Sequence, residues 1–438
     1  MNIPPVEKQI GIEIYCTSLP GIGGKLRQEI EDFIVKEISN REEGDSGKQL
    51  ILELTKSNWD MHHVARDISR KLGISQKRIG FAGTKDKRAK TTQKISIYDG
   101  KEEEIKNFYL KDVELKVIGR SERSVELGDL FGNEFVITIR DIGHGTQELR
   151  DILDGITAEL NAFGGVPNFF GIQRFGAIRP VTHLVGREIL LGDFEKAAMI
   201  YIARSFPDEP EDVREVRDHV WNTRDFAQGL QTYPLRLRYE RAMMHYLVEN
   251  PGDYAGSFRV LAHNISKMFV HAYQSYMFNR MICRRIEERL PLDAAVPGDI
   301  VCFKNKEGLP DVKKTQQVTE ENIEGMNNLV KRNRAFVTAP LIGYDTPLAS
   351  GAPGKIEREI FEETGIPAEN FRVPGLPELA SAGLRREILL HSKPSFEVSE
   401  DELNPGRSKA VLRFMLPKGS YATTVLREYM KVEPIKMS

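Results

Sequence analysis

One acidic side chain stands inside the densest basic stretch of the sequence, GFAGTKDKRAKTTQKISI, which covers residues 80–97. The acid is Asp86, and the five cations around it are Lys85, Lys87, Arg88, Lys90 and Lys94. Nearby cations favour the ionised form of a carboxyl group, and an ionised aspartate can act as a nucleophile. The same cations suit contacts with the phosphates of an RNA backbone. A solvated loop with surface ion pairs worth about 0–1 kcal/mol each is the alternative, and composition alone favours it.

A second segment, PNFFGIQRFG at residues 167–176, combines aromatic rings with planar polar groups. It contains the three rings of Phe169, Phe170 and Phe175 together with the polar side chains of Asn168, Gln173 and Arg174. Rings stack on a nucleobase, and amide or guanidinium groups hydrogen-bond to its edge. A buried turn with phenylalanines in the core is the alternative, and composition alone again favours it.

Other patterns exclude several common kinds of site. The segment GIGGKL is not a phosphate-binding P-loop, because Leu19 stands where the first glycine is needed and Leu26 follows the lysine. The adjacent His62 and His63 lack the spacing or the cysteine partner of a metal site. The three cysteines form no CxxC pair and lie far apart, at Cys16, Cys283 and Cys302. We therefore expect no metal, no cofactor and no disulfide framework.

Length and charge set further limits. The chain has 438 residues, which is enough for two or three domains. Its net charge is −2, so a nucleic-acid site would have to be a local basic patch rather than a property of the whole surface. No apolar run approaches the ~18 residues of a membrane span, and the N-terminus lacks a secretory pattern. These features predict a cytoplasmic protein that does not span a membrane.

The elements that position the two segments can be read from apolar periodicity. Alternating patterns predict strands at 31–39 and 49–57, and the segments RIGFAG and QKISIYD predict strands on either side of the basic run. A helix is expected after residue 60, capped by Ser57 or Asn58 and ended by Gly73. Another helix is expected from about 147 to 163. This mixture favours an α+β fold with a mixed or antiparallel sheet.

The character of the sequence changes after the aromatic segment. Residues 181–266 have helical patterns, and a long amphipathic helix is predicted at 265–290. Strand patterns return at GDIVCFKNK and RAFVTAPLIGYDTP, and the last segment predicts two strands and a terminal helix. Such a change indicates a second structural unit within the chain.

Four motifs, in the same order and over nearly the whole chain, resemble the TruD family of tRNA pseudouridine synthases. They are EDFIVKEI at 31–38, FAGTKDKRAKTTQ at 81–93, VPNFFGIQRFG at 166–176 and GSYATTVLREYM at 419–430. The resemblance implies a pseudouridine-synthase core with a bent mixed or antiparallel sheet, interrupted by an inserted α+β TRUD-specific domain. The catalytic domain would then comprise residues 1–176 and 383–438, and the inserted domain residues 177–382.

The resemblance also implies an activity. The protein would isomerise uridine to pseudouridine, at uridine 13 in the D-arm of tRNA, without a cofactor. Asp86 would be the catalytic residue, which attacks the sugar C1′ or assists formation of a glycal. A monomer is the expected state, because two domains are already available to grip one RNA.

Further residues receive roles from the resemblance alone. Phe170 would stack on the target uracil and Asn168 would support that geometry. The RNA backbone would be contacted by Lys85, Lys87, Arg88 and Lys90, and the pocket would be lined by Leu426 and Arg427. Bacterial members place a lysine six residues before the phenylalanine of the ED-F motif. That position is Arg27 here, with Lys25 close by, so the sequence leaves the choice between them open.

Two other functions compete with this interpretation. A base-exchanging tRNA glycosylase with an aspartate nucleophile would need a second base as substrate. A non-catalytic RNA-binding protein would bind structured RNA without changing it.

Overall fold

The two ends of the chain meet in one mixed sheet. The computed structural model describes residues 2–437. Its strands are β1 (Phe33–Ile38), β2 (Gln49–Ser57), β3 (Ile79–Phe81), β4 (Lys90–Tyr98), β5 (Val113–Ser121), β6 (Gly132–Ile142), β7 (Val166–Pro167), β8 (Ile300–Lys304), β9 (Pro310–Gln317), β10 (Ala335–Ile342), β11 (Gly383–Glu387), β12 (Leu389–Leu390), β13 (Ser395–Glu400) and β14 (Ser408–Pro417). The larger sheet has the order β13-β14-β6-β1-β4-β2-β5, with β3 paired to β4.

Fourteen α-helices pack around the sheets within the described residues. They are α1 (Pro5–Gln9), α2 (Met61–Lys71), α3 (Glu102–Lys106), α4 (Thr146–Ala162), α5 (Thr182–Leu191), α6 (Phe194–Ala203), α7 (Glu211–Thr223), α8 (Phe226–Thr232), α9 (Arg238–Glu249), α10 (Tyr254–Ser257), α11 (His263–Glu287), α12 (Ile323–Lys331), α13 (Gly351–Glu362) and α14 (Ala422–Met430). None of the helices in residues 2–437 is long and apolar enough to cross a membrane.

The larger sheet is mixed because β1 and β4 are parallel, whereas its other pairs are antiparallel. Alternate residues of β14 point into the core, which gives the period of two that half-buried strands show. One core cluster joins apolar side chains of β1, β6 and β14 with those of α4 and α14. The α+β class and the mixed sheet are therefore confirmed.

A second, four-stranded sheet has the order β11-β10-β8-β9 and is antiparallel throughout. The 25-residue helix α11 contributes to the cores on both of its sides. Strand β9 has no sequence signal, because its residues PDVKKTQQ are largely polar and exposed. Strand β11 extends this sheet past residue 382. The division into domains at 176 and 382 stays a prediction.

The cap of α2 differs from the prediction. Asp60 is the N-cap, and its Oδ1 accepts hydrogen bonds from the backbone N–H groups of His62 (2.9 Å) and His63 (3.1 Å). Ser57 is still part of β2, and Asn58 has a φ of 58°, which is outside the range of an N-cap. The prediction for the other end is confirmed, since Gly73 follows the helix with a φ of 63°.

Candidate active site

Asp86 lies in the loop between β3 and β4. These two strands pair antiparallel, and residues 82–89 connect them. The Gln93 side chain donates to the Gly83 carbonyl at 3.0 Å, which fixes one side of the loop. Lys56 Nζ donates to the Asp86 carbonyl at 3.0 Å, which fixes its centre. These two hydrogen bonds hold the main chain of the loop, while the Asp86 carboxylate, 51% exposed, stays accessible.

A cavity of about 480 Å³ opens beside this carboxylate. Its volume is in the range of small-ligand sites. The lining comes from both ends of the chain and comprises Arg27, Phe33, Val35, Gly83, Thr84, Lys85, Asp86, Leu130, Asn133, Phe135, Gln173 and residues 418–423. Two polar atoms in this wall, Asn133 Oδ1 and Ser420 Oγ, are buried without a hydrogen-bond partner among the described residues. The wall therefore contains polar atoms whose hydrogen-bonding capacity is unused, although these atoms are not exposed to the cavity.

Arg27, and not Lys25, meets Asp86. The Arg27 guanidinium lies 3.4 Å from Asp86 Oδ1 and stacks over the Phe33 ring at 4.0 Å. Burial lowers the pKa of Arg27, while the charge of Asp86 raises it. Lys25 points elsewhere and pairs with Asp141 at 2.9 Å. Of the two candidates, only Arg27 contacts Asp86, and its role in the active site stays a prediction.

Lys56 is a site residue that the sequence analysis missed. It is fully buried on β2, and its ammonium donates to the carbonyls of Trp59 (2.7 Å) and Asp86 (3.0 Å). Burial lowers the pKa of Lys56 to about 8, against the opposing effect of Asp86. The signal was present in the alternation of β2: Lys56 has the same parity as the buried Leu52 and Leu54, so it had to point inward.

The predicted RNA-binding cations divide into two groups. Lys85 donates to Glu37 Oε2 at 2.9 Å, and its side chain is only 7% exposed. Lys94 is held in the same way by Glu43 at 3.0 Å. In contrast, no ion pair involves Lys87, Arg88 or Lys90 within residues 2–437, although Arg88 also donates to the Arg27 carbonyl at 2.8 Å. The charge free to meet a phosphate is therefore that of Lys87, Arg88 and Lys90.

Phe170 and Asn168 lie behind the wall of the cavity rather than in it. The Phe170 residue is 4% exposed, and the Arg386 guanidinium covers its ring at 4.3 Å. Asn168 is fully buried; it accepts from Arg386 at 2.7 Å and donates to the Glu387 carbonyl at 2.9 Å. Tyr421, which contacts the Phe170 ring edge to face, lines the cavity where Phe170 does not.

Leu426 and Arg427 are not among the residues that line the cavity. Leu426 is fully buried in the core, and Arg427 forms a buried ion pair with Glu7 at 2.8 Å and another with Glu428 at 2.6 Å. The first turn of α14 lines the cavity, and these residues follow one turn later, where the helix packs on the core. They fix α14 rather than form the pocket, because a helical motif places only some of its residues on a given face.

The chain is similar to known proteins over nearly its whole length. A family model described as tRNA pseudouridine synthase D (TruD) matches residues 9–429. A Methanococcoides burtonii protein named "Probable tRNA pseudouridine synthase D" is 66% identical over 100% of both chains, and one of the same name from Thermococcus sibiricus is 42% identical over 95% of this chain and 97% of its own. A crystal structure of a Methanosarcina mazei relative with the same family name has a TM-score of 0.92, with 62% identity and full coverage of both chains. This chain belongs to the tRNA pseudouridine synthase D family.

Proposed function

We propose that this protein isomerises uridine to pseudouridine in tRNA, at uridine 13 of the D-arm, with Asp86 as the catalytic carboxylate. The observation that carries the proposal is the pairing of an exposed Asp86 with a buried Arg27 at the edge of a cavity of about 480 Å³. Isomerisation of uridine is general to the family. The position in the RNA, the cytoplasmic location and the monomeric state are carried over from the sequence analysis as predictions.

The reaction balances without a co-substrate. The bond between C1′ and N1 breaks, the uracil turns within the site, and C5 bonds to C1′; C5 loses a proton and N1 gains one. Asp86 either attacks C1′ as a nucleophile or takes a sugar proton so that a glycal forms. The Arg27 guanidinium lies 3.4 Å from Asp86 Oδ1, so a positive charge stands beside the carboxylate that would react.

The cavity wall suits a uracil that has left the RNA stack. Extrusion costs a few kcal/mol, and stacking on an aromatic ring offsets about 1–3 kcal/mol per base. Among the rings of the wall, Phe33 and Phe135 are buried, so Tyr421 is the one that can offer a face. Asn133 Oδ1 could accept from the uracil N3–H, and Ser420 Oγ could donate to a uracil carbonyl, once a change of rotamer exposes these buried atoms. Phe170 could stack directly only after Arg386 or Tyr421 had moved.

Tritium release tests the activity. With tRNA tritiated at C5 of uridine, we expect the protein to release tritium to water, because C5 must lose its proton when it bonds to C1′. The released tritium should correspond to one uridine per tRNA, and changing uridine 13 to cytidine should abolish the release.

The competing functions give different results in the same assay. A base-exchanging glycosylase would incorporate labelled free uracil into the RNA, and a binding protein would release no tritium at all. Release that survives the change of uridine 13 would contradict the proposed position while leaving the isomerase activity standing.

The exposed cations near Asp86 should bind phosphates of the tRNA backbone. In the double variant Lys87→Ala, Arg88→Ala, we expect weaker tRNA binding and a slope of log K against log salt that is shallower by about 1–2, because each lost phosphate contact removes about one released counterion. Filter binding at four salt concentrations measures the slope. The control is Arg70→Ala with Lys71→Ala, an adjacent exposed pair at the end of α2, which should leave the slope unchanged. An unaltered slope in the first variant would contradict a phosphate-binding role.

A further inference from the structure

A second cavity, of about 410 Å³, adjoins the first. The two cavities share Lys418, Gly419 and Tyr421, so the turn before α14 forms their common wall. The second cavity lies where three parts of the chain meet: the aromatic segment, strands β9, β10 and β11 of the smaller sheet, and this turn. A ligand that fills the first cavity therefore has a direct neighbour position in the second.

Two guanidinium groups face the same ring in this second cavity. Arg386 lies 4.3 Å and Arg174 5.7 Å from the centre of the Phe170 ring. Arg386 donates to Asn168 Oδ1 at 2.7 Å and to the Gly419 carbonyl at 3.1 Å, and Arg174 donates to Ser275 Oγ at 3.2 Å. All of these partners are neutral. Between residues 2 and 437, neither arginine has an ion pair with a carboxylate, and the buried Arg386 Nε has no hydrogen-bond partner.

Arg385 provides an internal contrast. It lines the same cavity, but its guanidinium pairs with both oxygens of Glu357, at 2.5 and 3.3 Å, so its charge is already neutralised. Burial lowers the pKa of both Arg174 and Arg386; Glu387 opposes this effect at Arg386, and Arg386 adds to it at Arg174. Glu387 also lines the cavity, but in the described part of the chain its single carboxylate forms no ion pair with either of the two partly buried guanidinium groups. Buried charge without a paired counter-ion is unfavourable for folding. Such a pair indicates an anion that arrives with a ligand.

We propose that the second cavity binds the nucleotide adjoining the target uridine in the same RNA strand, with its phosphodiester held by Arg174 and Arg386. Guanidinium groups match phosphate oxygens through paired hydrogen bonds. The base would rest on the apolar side of the cavity, which is formed by Leu309, Leu341 and Leu384. Tyr421 would then separate the target uracil from this neighbour. The proposal rests on the proposed function, because it places the target uridine beside Asp86.

A charge-deletion cycle tests this contact. tRNA is assembled with one neutral methylphosphonate linkage, either 5′ or 3′ of uridine 13, and tritium release is measured with the wild-type protein and with Arg174→Leu. For the wild type, we expect one of the two linkages to raise KM about tenfold with little change in kcat. For Arg174→Leu, KM on unmodified tRNA should already be raised by a similar factor, and the neutral linkage should add less than twofold.

The outcomes separate this proposal from the proposed function. Absence of release by the wild type on unmodified tRNA would overturn the function itself. The wild type could release tritium normally while the neutral linkage raised the KM of Arg174→Leu by the same tenfold factor as that of the wild type. This result would overturn the proposed subsite and leave the proposed function standing. Arg386→Met should repeat the non-additivity, and Arg236→Gln, an exposed arginine beyond both cavities, should keep the full tenfold response. Inorganic phosphate could instead change turnover without competing with tRNA, while the linkage and the substitution raised KM independently. That result would assign the arginines to free phosphate and contradict the proposal.

Discussion

Asp86→Asn is expected to abolish turnover while tRNA binding and folding are retained. The asparagine side chain has nearly the same shape, but it cannot form the ester with C1′ or accept a sugar proton as a carboxylate does. Folding should tolerate the change, because the carboxylate is 51% exposed and makes one long contact, 3.4 Å to Arg27. Binding should be equal or tighter, since the substitution removes a negative charge next to a polyanion.

The expected loss in kcat is at least about 1,000-fold, as for removal of a central catalytic group in other enzymes. Tritium release under single-turnover conditions measures the loss, and filter binding measures the affinity. Asp154→Asn, which removes an exposed carboxylate on α4, is the matched control and should behave as the wild type. If Asp86→Asn kept more than about a tenth of the wild-type rate, another group would have to be the catalyst.

The fold was predictable where burial gives a clear period. Strand β2 occupies the predicted residues 49–57, because it begins with a run of buried, mostly apolar residues and then alternates between buried and partly exposed positions. Strand β9 had no such period, since neither of its faces is deeply buried. Strand β14 pairs with β6, and β13 pairs with β14 as the edge strand of the larger sheet. Periodicity gave the strands there, while the pairing partner of each strand depends on contacts between distant parts of the chain.

The site was predictable at the level of segments and less so at the level of side chains. The motif around Asp86 and the aromatic segment do converge, and Gln173 of the latter lines the cavity. The direction in which each side chain points could not be predicted from the sequence. Phe170 turns toward Arg386, and Arg427 turns into the core, because packing decides rotamers and helix faces. Arg27 could be preferred to Lys25 only once both side chains had a place in three dimensions.

Lys56→Met is expected to lower kcat about 100-fold and to leave KM for tRNA within about twofold. The Lys56 ammonium donates a hydrogen bond to the Asp86 carbonyl at 3.0 Å. Its loss therefore frees the loop that positions the carboxylate. A displacement of about 1 Å at a reacting group can cost a factor of about 100. Binding should change little, because Lys87 and Arg88 remain exposed. Lys48→Met, which removes an exposed lysine just before the same strand, should match the wild type.

The pH dependence of stability tests whether Lys56 is a desolvated ammonium group in the folded protein. The pKa of Lys56 is lowered from 10.5 to about 8 in the folded state. Between these values the unfolded chain binds the proton more strongly, so the free energy of unfolding rises with pH across this window. The rise due to Lys56 is at most about 3 kcal/mol for a shift of this size. Lys56→Met lacks this contribution, so the difference in unfolding free energy between the two proteins should grow in favour of the wild type from pH 8 to 10.5. Denaturant titrations at pH 7, 8, 9 and 10 measure it. A difference independent of pH would contradict the lowered pKa of Lys56, and an unchanged kcat would contradict its role in positioning the Asp86 loop.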